Sequence, residues 1–313
     1  MMKTKSGEFA LIDWIRSRAS TNEKVALGIG DDCAVVDGIQ GKSIVVTTDM
    51  LMDGRHFILD QAGAAAVGRK ALGVNLSDIA AMAARPFAAF VAVALPKSGA
   101  NEIAQGIFEG MNPLARRFGV SLAGGDTNVW NGPLVVCVTV LGEATDRGAV
   151  RRSSAKPGDI VFVTGPLGGS FPARHLDPQP RIDEALLLAD TVKLHSMIDI
   201  SDGLAADLSH ILDESGGLGA IFDVDSIPIH EDAKILSRQD GTSALAHALS
   251  DGEDFELCFT VSVKDAKRLA DHPPEGLKLH RVGEVVTRPG LRLREANGSV
   301  RDLDLKGFDH FDS

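Results

Sequence analysis

Acids and hydroxyls recur where apolar stretches of this chain end. Asp31 and Asp32 stand between the glycine-rich and apolar parts of Leu27 to Val36. The β-branched run Ile44-Val45-Val46 feeds Thr47-Thr48-Asp49, with Asp53, Gly54, Arg55 and His56 close behind. Gly125-Asp126-Thr127 and Asp199-Ile200-Ser201-Asp202-Gly203 repeat the pattern, and Asp78 and Glu253-Asp254 add further carboxylates. Each has a second reading, because Asx residues start turns and cap helices without any chemical duty. Asp202 would suit the cap of a helix beginning at 204. As a set they imply more. Acids gathered from scattered positions repel one another, so their convergence requires cations. Oxygen ligands without Cys or His select Mg²⁺ over zinc or copper. Several Mg²⁺ ions in a carboxylate nest suit a nucleoside triphosphate, and the chemistry expected is Mg²⁺-dependent phosphoryl transfer.

The usual phosphate loops do not account for that chemistry. Gly41-Lys42-Ser43 resembles the end of a P-loop, but Val36 stands where its first glycine belongs. Gly28-Ile29-Gly30 begins like a dinucleotide fingerprint, but Cys33 replaces the third glycine and two acids would oppose a pyrophosphate. No HRD…DFG set, GxSxG or HExxH occurs. Arg152, ahead of Ser153-Ser154, reads equally as a contact for a terminal phosphate and as a solvated linker arginine. His56, beside a turn, reads as structural or as a ligand contact.

Composition narrows the class. A chain of 313 residues with 44% hydrophobic and 24% charged residues can bury a substantial core and is long enough for two domains. Its 32 basic and 43 acidic residues give a net charge of −11, which argues against a general nucleic-acid binder. Cys33, Cys137 and Cys258 are far apart, odd in number and without CxxC spacing, as reduced thiols of a cytoplasmic protein would be. Residues 8–18 carry an amphipathic helical pattern rather than a secretion signal. The longest apolar run, Phe87 to Leu95, is about half of what a membrane span needs.

The positioning elements follow from periodicity. Gly63 to Ala84 has a helical period that sets Asn75 and Asp78 on one face and must stop before Pro86. A second helix is expected over 102–118, kinked or split at Pro113. Strands are expected at 44–48, 87–95 and 134–141, and a short one at 120–123 feeds a loop from Gly124 to Asn128. A polar stretch, Thr145 to Gly158, places a domain boundary near residue 150, giving domains 1–150 and 151–313. The second half reads as strands at 160–164, 197–200, 255–261, 280–286 and 291–295. Helices at 182–194, from 204 to an end at Gly216-Gly217, and at 264–271 alternate with them, and 172–181 is too proline-rich for a regular element. The class is α/β of the α+β type.

Eight ordered segments then carry a family resemblance: GIGDD (28–32), TTDMLMDGRHF (47–57), NLSDIAAMAARP (75–86), AGGDT (123–127), RRSSAKPGD (151–159), MIDISDGLAADLSHI (197–211), GEDFEL (252–257) and GFDHF (307–311). Together they resemble thiamine-monophosphate kinases, of the aminoimidazole ribonucleotide synthetase superfamily. The resemblance implies ATP-dependent phosphorylation of thiamine phosphate by direct in-line transfer. It also implies a homodimer whose N-terminal sheets join into a barrel. Carried over residue by residue, Asp31, Thr47, Thr48, Asp49, Asp78, Asp126, Asp199 and Asp202 would hold Mg²⁺. Gly125, Asp126, Arg152 and Ser201 would serve ATP, and His56, Glu253 and Phe308 would hold thiamine phosphate. One departure is visible: between Ser170 and Arg174 only Phe171-Pro172-Ala173 remain, where the family carries a helix and a longer segment. Selenophosphate synthetase-like and hydrogenase-maturation relatives bring an N-terminal or C-terminal cysteine that this sequence lacks. A nucleotide-binding dimer without turnover would not need so many carboxylates.

Overall fold

The computed structural model describes residues 25–27, 31–37 and 43–303. The helix expected at 8–18 and Phe308 lie outside them. The apolar run that begins at Ile44 continues well past Thr48, and strand β3 is Ser43–Met52. It belongs to a six-stranded sheet with β1 (Val25–Leu27), β2 (Ala34–Asp37), β4 (Ala84–Pro96), β5 (Ser121–Trp130) and β6 (Val135–Ala144), in the order β1-β2-β3-β6-β4-β5. All neighbours are antiparallel except β4 and β5. Pro86, which has no N–H to give, sits at a register shift against β6.

The segment expected as a short strand and a glycine loop is one continuous edge strand, β5. Gly124-Gly125-Asp126 lacks an apolar signal because an exposed edge strand buries almost nothing. Among the described residues its sheet neighbour is β4. Gly125 is required there, since a Cβ would stand 1.8 Å from the Val91 carbonyl oxygen.

Helices α1 (Leu59–Ala62), α2 (Ala64–Ala81) and α3 (Ala100–Arg117) follow the N-terminal strands. Helix α2 is buried over most of its length, which its alanine-rich sequence allows. Helix α3 runs unbroken through Pro113, which excludes the split among the two expected outcomes, and its apolar stripe of Ile107, Met111, Leu114 and Ala115 is held against the core. The two helices meet through glycines. A Cβ on Gly68 would lie 2.1 Å from the Ile107 carbonyl oxygen, and one on Gly110 would lie 1.8 Å from that of Ala65.

The second half forms a seven-stranded sheet in the order β13-β12-β9-β11-β7-β10-β8. Its strands are β7 (Ile160–Val163), β8 (Leu194–Asp199), β9 (Gly219–Asp223), β10 (Leu257–Val261), β11 (His280–Val286), β12 (Gly290–Arg294) and β13 (Val300–Asp302). Helices α4 (Ile182–Thr191), α5 (Leu204–Glu214), α6 (Glu231–Asp240), α7 (Ala244–Ser250) and α8 (Val263–Asp271) accompany it. Every residue of β7 and β10 is buried, which explains their unbroken apolar runs. One face, with Phe162, Met197 and Phe259, shares a core with α2, α3 and the first sheet; the other, with Val161, Val163 and Ile198, packs on α5 and α7. The first core therefore runs continuously between the two halves.

Replacing Gly110 by Ala should separate α2 from α3. The expected loss is about 1–3 kcal/mol, read as a lower urea midpoint with an unchanged m-value. An unchanged midpoint would mean that the helices do not pack as closely as described.

Candidate active site

Strand alternation decides which residues of the Thr47-Thr48-Asp49 triplet can work together. Successive side chains point to opposite faces, so Thr47 and Asp49 face α2 while Thr48 faces away. The Thr47 hydroxyl donates to Asp78 Oδ2 at 2.5 Å. The Asp49 N–H donates to Asn75 Oδ1 at 3.1 Å, and Asn75 Nδ2 donates to the Ala71 carbonyl. The shared helical face expected of Asn75 and Asp78 is thus the face that meets β3. On the same helix Ser77 donates to Asp199 Oδ2 at 2.6 Å, which ties the end of β8 to the first half.

These contacts gather carboxylates. Asp32, Asp78 and Asp199 bring oxygens within 4.8 Å of one another. The sequence singled out Asp31 of the Asp31-Asp32 pair, yet it is Asp32 that enters this cluster. Asp31 turns to the main chain of the linker and accepts the Arg152 N–H at 3.2 Å. Arg152 is not a solvated linker residue. Its guanidinium grips Asp32 through two bonds, 2.9 and 2.7 Å, the bidentate geometry that suits a carboxylate.

The charge balance shows in the titration of the group. Burial, then the Asp32 charge, pushes Asp31 up to about 7 against the pull of Arg152. Asp49 is pushed up to about 6 by burial, with a bond to Asp78 opposing and Asp32 adding to the rise. Burial raises Asp78 and Asp199 well above the ordinary carboxylate range, and neighbouring acids add to it. Burial alone would discharge Arg152, but the carboxylates of Asp32, Asp31 and Asp199 hold it charged. Arg152 contributes one positive charge against the five acids Asp31, Asp32, Asp49, Asp78 and Asp199. An oxygen-only donor set short of positive charge fits a hard divalent cation.

A cleft of about 550 Å³ opens beside this cluster, lined by Asp49, Asp78, Asp199, Ser201, Asp202, His56 and Glu253, with Met50, Met52, Arg55, Phe171 and Phe255 among its other walls. Asp202 does not cap the following helix: Gly203 holds that position and no side chain caps it. The Asp202 N–H instead donates to the buried Asp207 at 3.1 Å, and Asp202, Asp207 and His210 form a second group of close donors. His56 accepts the Met52 N–H on Nδ1 at 3.0 Å, which leaves the proton of the neutral ring on Nε2. Glu253 adopts a left-handed φ of 51° in a turn fixed by its N–H bond to the Ser201 carbonyl.

Other marked acids are structural. Asp53 accepts the Leu59 N–H ahead of α1. Asp254 accepts the Gly168 N–H and pairs with Arg174, holding the glycine turn.

Three expected site residues stay apart within the chain. Thr48 shares a hydrogen bond of 2.9 Å with Thr139 on the outer face of the sheet. Gly125 and Asp126 lie on β5, three strands from β3, a separation of about 14 Å at ordinary strand spacing. Asp126 bonds to Thr127 and Asn128, its own neighbours. Lys70 and His175 were not singled out from the sequence, although both contact Glu253. A lysine in an alanine-rich helix carries no local mark of its burial.

Residues 30–144 match the N-terminal domain of AIR synthase related proteins, and residues 156–295 match their C-terminal domain. A thiamine-monophosphate kinase of Rhodopirellula baltica is 40% identical over 310 residues, covering 97% of both chains. Its counterpart from Escherichia coli K12 is 36% identical over 338 residues, covering 97% of this chain and 98% of the relative. Among solved structures, AaThiL complexed with AMPPCP and TMP is similar with a TM-score of 0.84 at 27% identity, covering 99% of this chain and all of the other. The thiamine-monophosphate kinase of Stenotrophomonas maltophilia K279a is similar with a TM-score of 0.72 at 35% identity, over 91% and 96% of the two chains.

The raised carboxylate pKa values fix the sign of a pH dependence. Asp31 and Asp49 hold protons in the folded chain that they release when it unfolds, so their contribution is full below about pH 4 and is lost as pH rises towards 6 to 7. Without divalent cation, the stability contributed by these acids should fall across that window. Added Mg²⁺ should raise Tm more at pH 8 than at pH 5. An equal or larger rise at pH 5 would contradict a cation site built from these carboxylates.

Proposed function

This chain belongs to the thiamine-monophosphate kinases of the AIR synthase related family, and on that footing we propose that it transfers the γ-phosphoryl group of ATP directly to thiamine phosphate, giving thiamine diphosphate and ADP. The observation that carries this reading is a single cleft whose lining combines Asp49, Asp78, Asp199 and Asp202 with His56 and Glu253. The four aspartates suit the metal-bridged triphosphate, and His56 and Glu253 suit thiamine phosphate. Mg²⁺ held by Asp49, Asp78, Asp199 and Asp202, with Asp31 and Asp32 beside them, would neutralise the two approaching polyanions. Thr47 and Ser77 restrain Asp78 and Asp199 by direct bonds, and Asn75 fixes the β3 backbone at Asp49. Such restraint orients the donors before the nucleotide arrives.

Proton transfer makes a small demand on the chain. A phosphate monoester is already largely ionised near pH 7, so the acceptor oxygen needs alignment rather than a strong base. We assign Glu253 and His56, both in the lining of the cleft, to thiamine phosphate, the Glu253 carboxylate facing the cationic thiazolium. We place Arg152 and Ser201 on the ATP side. The division between the halves falls near residue 150. No helix among the described residues is long and apolar enough to cross a membrane, and we place the enzyme with its two water-soluble substrates in the cytoplasm.

Thr48 and Asp126 point to a second copy. The outer face of the first sheet exposes Met50, Met52, Phe90 and Trp130, each at least 40% accessible. Contiguous apolar exposure of this kind marks an interaction surface. We propose that two chains pair through this face and close a barrel. Thr48, Gly125 and Asp126 would then act where the two copies meet.

Two outcomes are expected. With ATP and Mg²⁺, the protein should convert thiamine phosphate to thiamine diphosphate with one ADP per turnover. Asp49→Asn should lose at least a thousandfold in kcat while its thermal stability stays level or rises, since a repelling charge is gone; a folded wild-type protein without turnover would sink the kinase reading. By light scattering the protein should be a dimer, and Met50→Asp should shift it toward the 33.0 kDa monomer. A wild-type monomer would rule out the paired sheets.

A further inference from the structure

Lys70 lies on α2 with its side chain fully excluded from solvent. A lysine buried so completely remains charged only when its donors are met. An ammonium has three donors, and all three find acceptors. Lys70 Nζ reaches Glu253 Oε1 and Oε2 at 2.9 and 2.7 Å, the His56 carbonyl at 2.8 Å and His175 Nδ1 at 2.9 Å. His175 Nδ1 also stands 3.0 Å from Glu253 Oε2, so lysine, histidine and carboxylate form one compact group.

The three partners come from segments that share no strand or helix. His56 follows the end of β3. His175 sits in a single 3-10 turn, Arg174–Leu176, whose main chain bonds back to Ser170. Glu253 occupies a left-handed backbone position, where a non-glycine residue persists only if its surroundings hold it. The ring of Phe171, a wall of the cleft, lies 5.7 Å from that of His175. One buried ammonium is thus the point at which the thiamine-phosphate side of the cleft is assembled.

We infer that Lys70 is a positioning residue for recognition of thiamine phosphate, acting chiefly through Glu253. It rests on the assignment of Glu253 and His56 to that substrate. Without Lys70 the half-buried Glu253 carboxylate loses both of its ammonium bonds and keeps only the contact with His175 Nδ1, so it moves or takes up a proton. The ATP side, built on Asp78, Asp199 and Arg152, does not touch Lys70.

Steady-state kinetics on the full chain at saturating Mg²⁺ tests this with Lys70→Met, Glu253→Gln and the double variant. Lys70→Met should raise KM for thiamine phosphate tenfold or more with KM for ATP within twofold. In the Glu253→Gln background the same change should add less than twofold. Equal shifts in both KM values, no shift, or additive effects of the two substitutions would overturn the inference. If Lys70→Met does not fold, the double variant, which orphans no carboxylate, is compared with Glu253→Gln alone by the same criterion. A wild-type protein that ignores thiamine phosphate would refute the functional reading instead. In that event the link between Lys70 and Glu253 is judged by thermal unfolding, where Glu253→Gln must restore part of the Tm lost in Lys70→Met, and no restoration would overturn it.

Discussion

Carboxylates held closer together than water would allow are the constraint around which this molecule is arranged. Two unit charges at the 4.8 Å separation of Asp32, Asp78 and Asp199 repel by about 3.5 kcal/mol at an effective dielectric of 20. The group holds more than two. Repulsion of this size is sustained because three of the acids belong to different, deeply packed elements: Asp49 to β3, Asp78 to α2, Asp199 to β8. The continuous core between the two sheets keeps these elements from separating. Arg152 offsets part of the charge, and protonation takes up more of it. What remains unbalanced is the capacity of the site to take cations together with phosphates.

The same geometry divides the cleft. Inward-facing residues of β3 belong to the acidic group, and the turn after that strand carries His56 across to the other side. There the carboxylate of Glu253 is matched by Lys70, so this side carries a balanced pair where the first carries a surplus of negative charge. A metal-bridged triphosphate and a cationic ring on a phosphate make opposite demands, and the lining of one cleft brings together the carboxylates of Asp49, Asp78 and Asp199 with His56 and Glu253. Thr48, Gly125 and Asp126, on the first sheet, are not among the residues that line the cleft within one chain. Met50 and Phe90 are exposed on the same sheet, and the proposed pairing of two chains rests on that exposure.

Much of this could be read from the residues. The buried runs Ile160–Val163 and Leu257–Val261 were legible because a strand covered on both faces is apolar throughout. The shared face of Asn75 and Asp78 followed from helical period alone. Grouping Thr47, Thr48 and Asp49 as one ligand set ignored the alternation of a strand that extends to Met52, because the polar triplet looked like the strand's end. β5 was hidden because an exposed edge needs no apolar residue, so its glycines and Asp126 read as a loop. Helix α6 buries only Ala233 and left no apolar stripe to detect. The choice between Asp31 and Asp32 depended on where Arg152 lies, some 120 residues further along. Lys70 was illegible for a similar reason, since its partners at 56, 175 and 253 meet only in the folded chain.

The central claim is that one cleft holds both substrates, with the acids of β3, α2 and β8 facing the transferred phosphoryl group. A crystal structure with Mg²⁺, a non-hydrolysable ATP analogue and thiamine phosphate tests it most directly. The account predicts metal density between the carboxylates of Asp49, Asp78 and Asp199 and the β- and γ-phosphates, with the thiazolium beside Glu253 and His56. Nucleotide bound away from these acids, or thiamine phosphate outside this cleft, would contradict it.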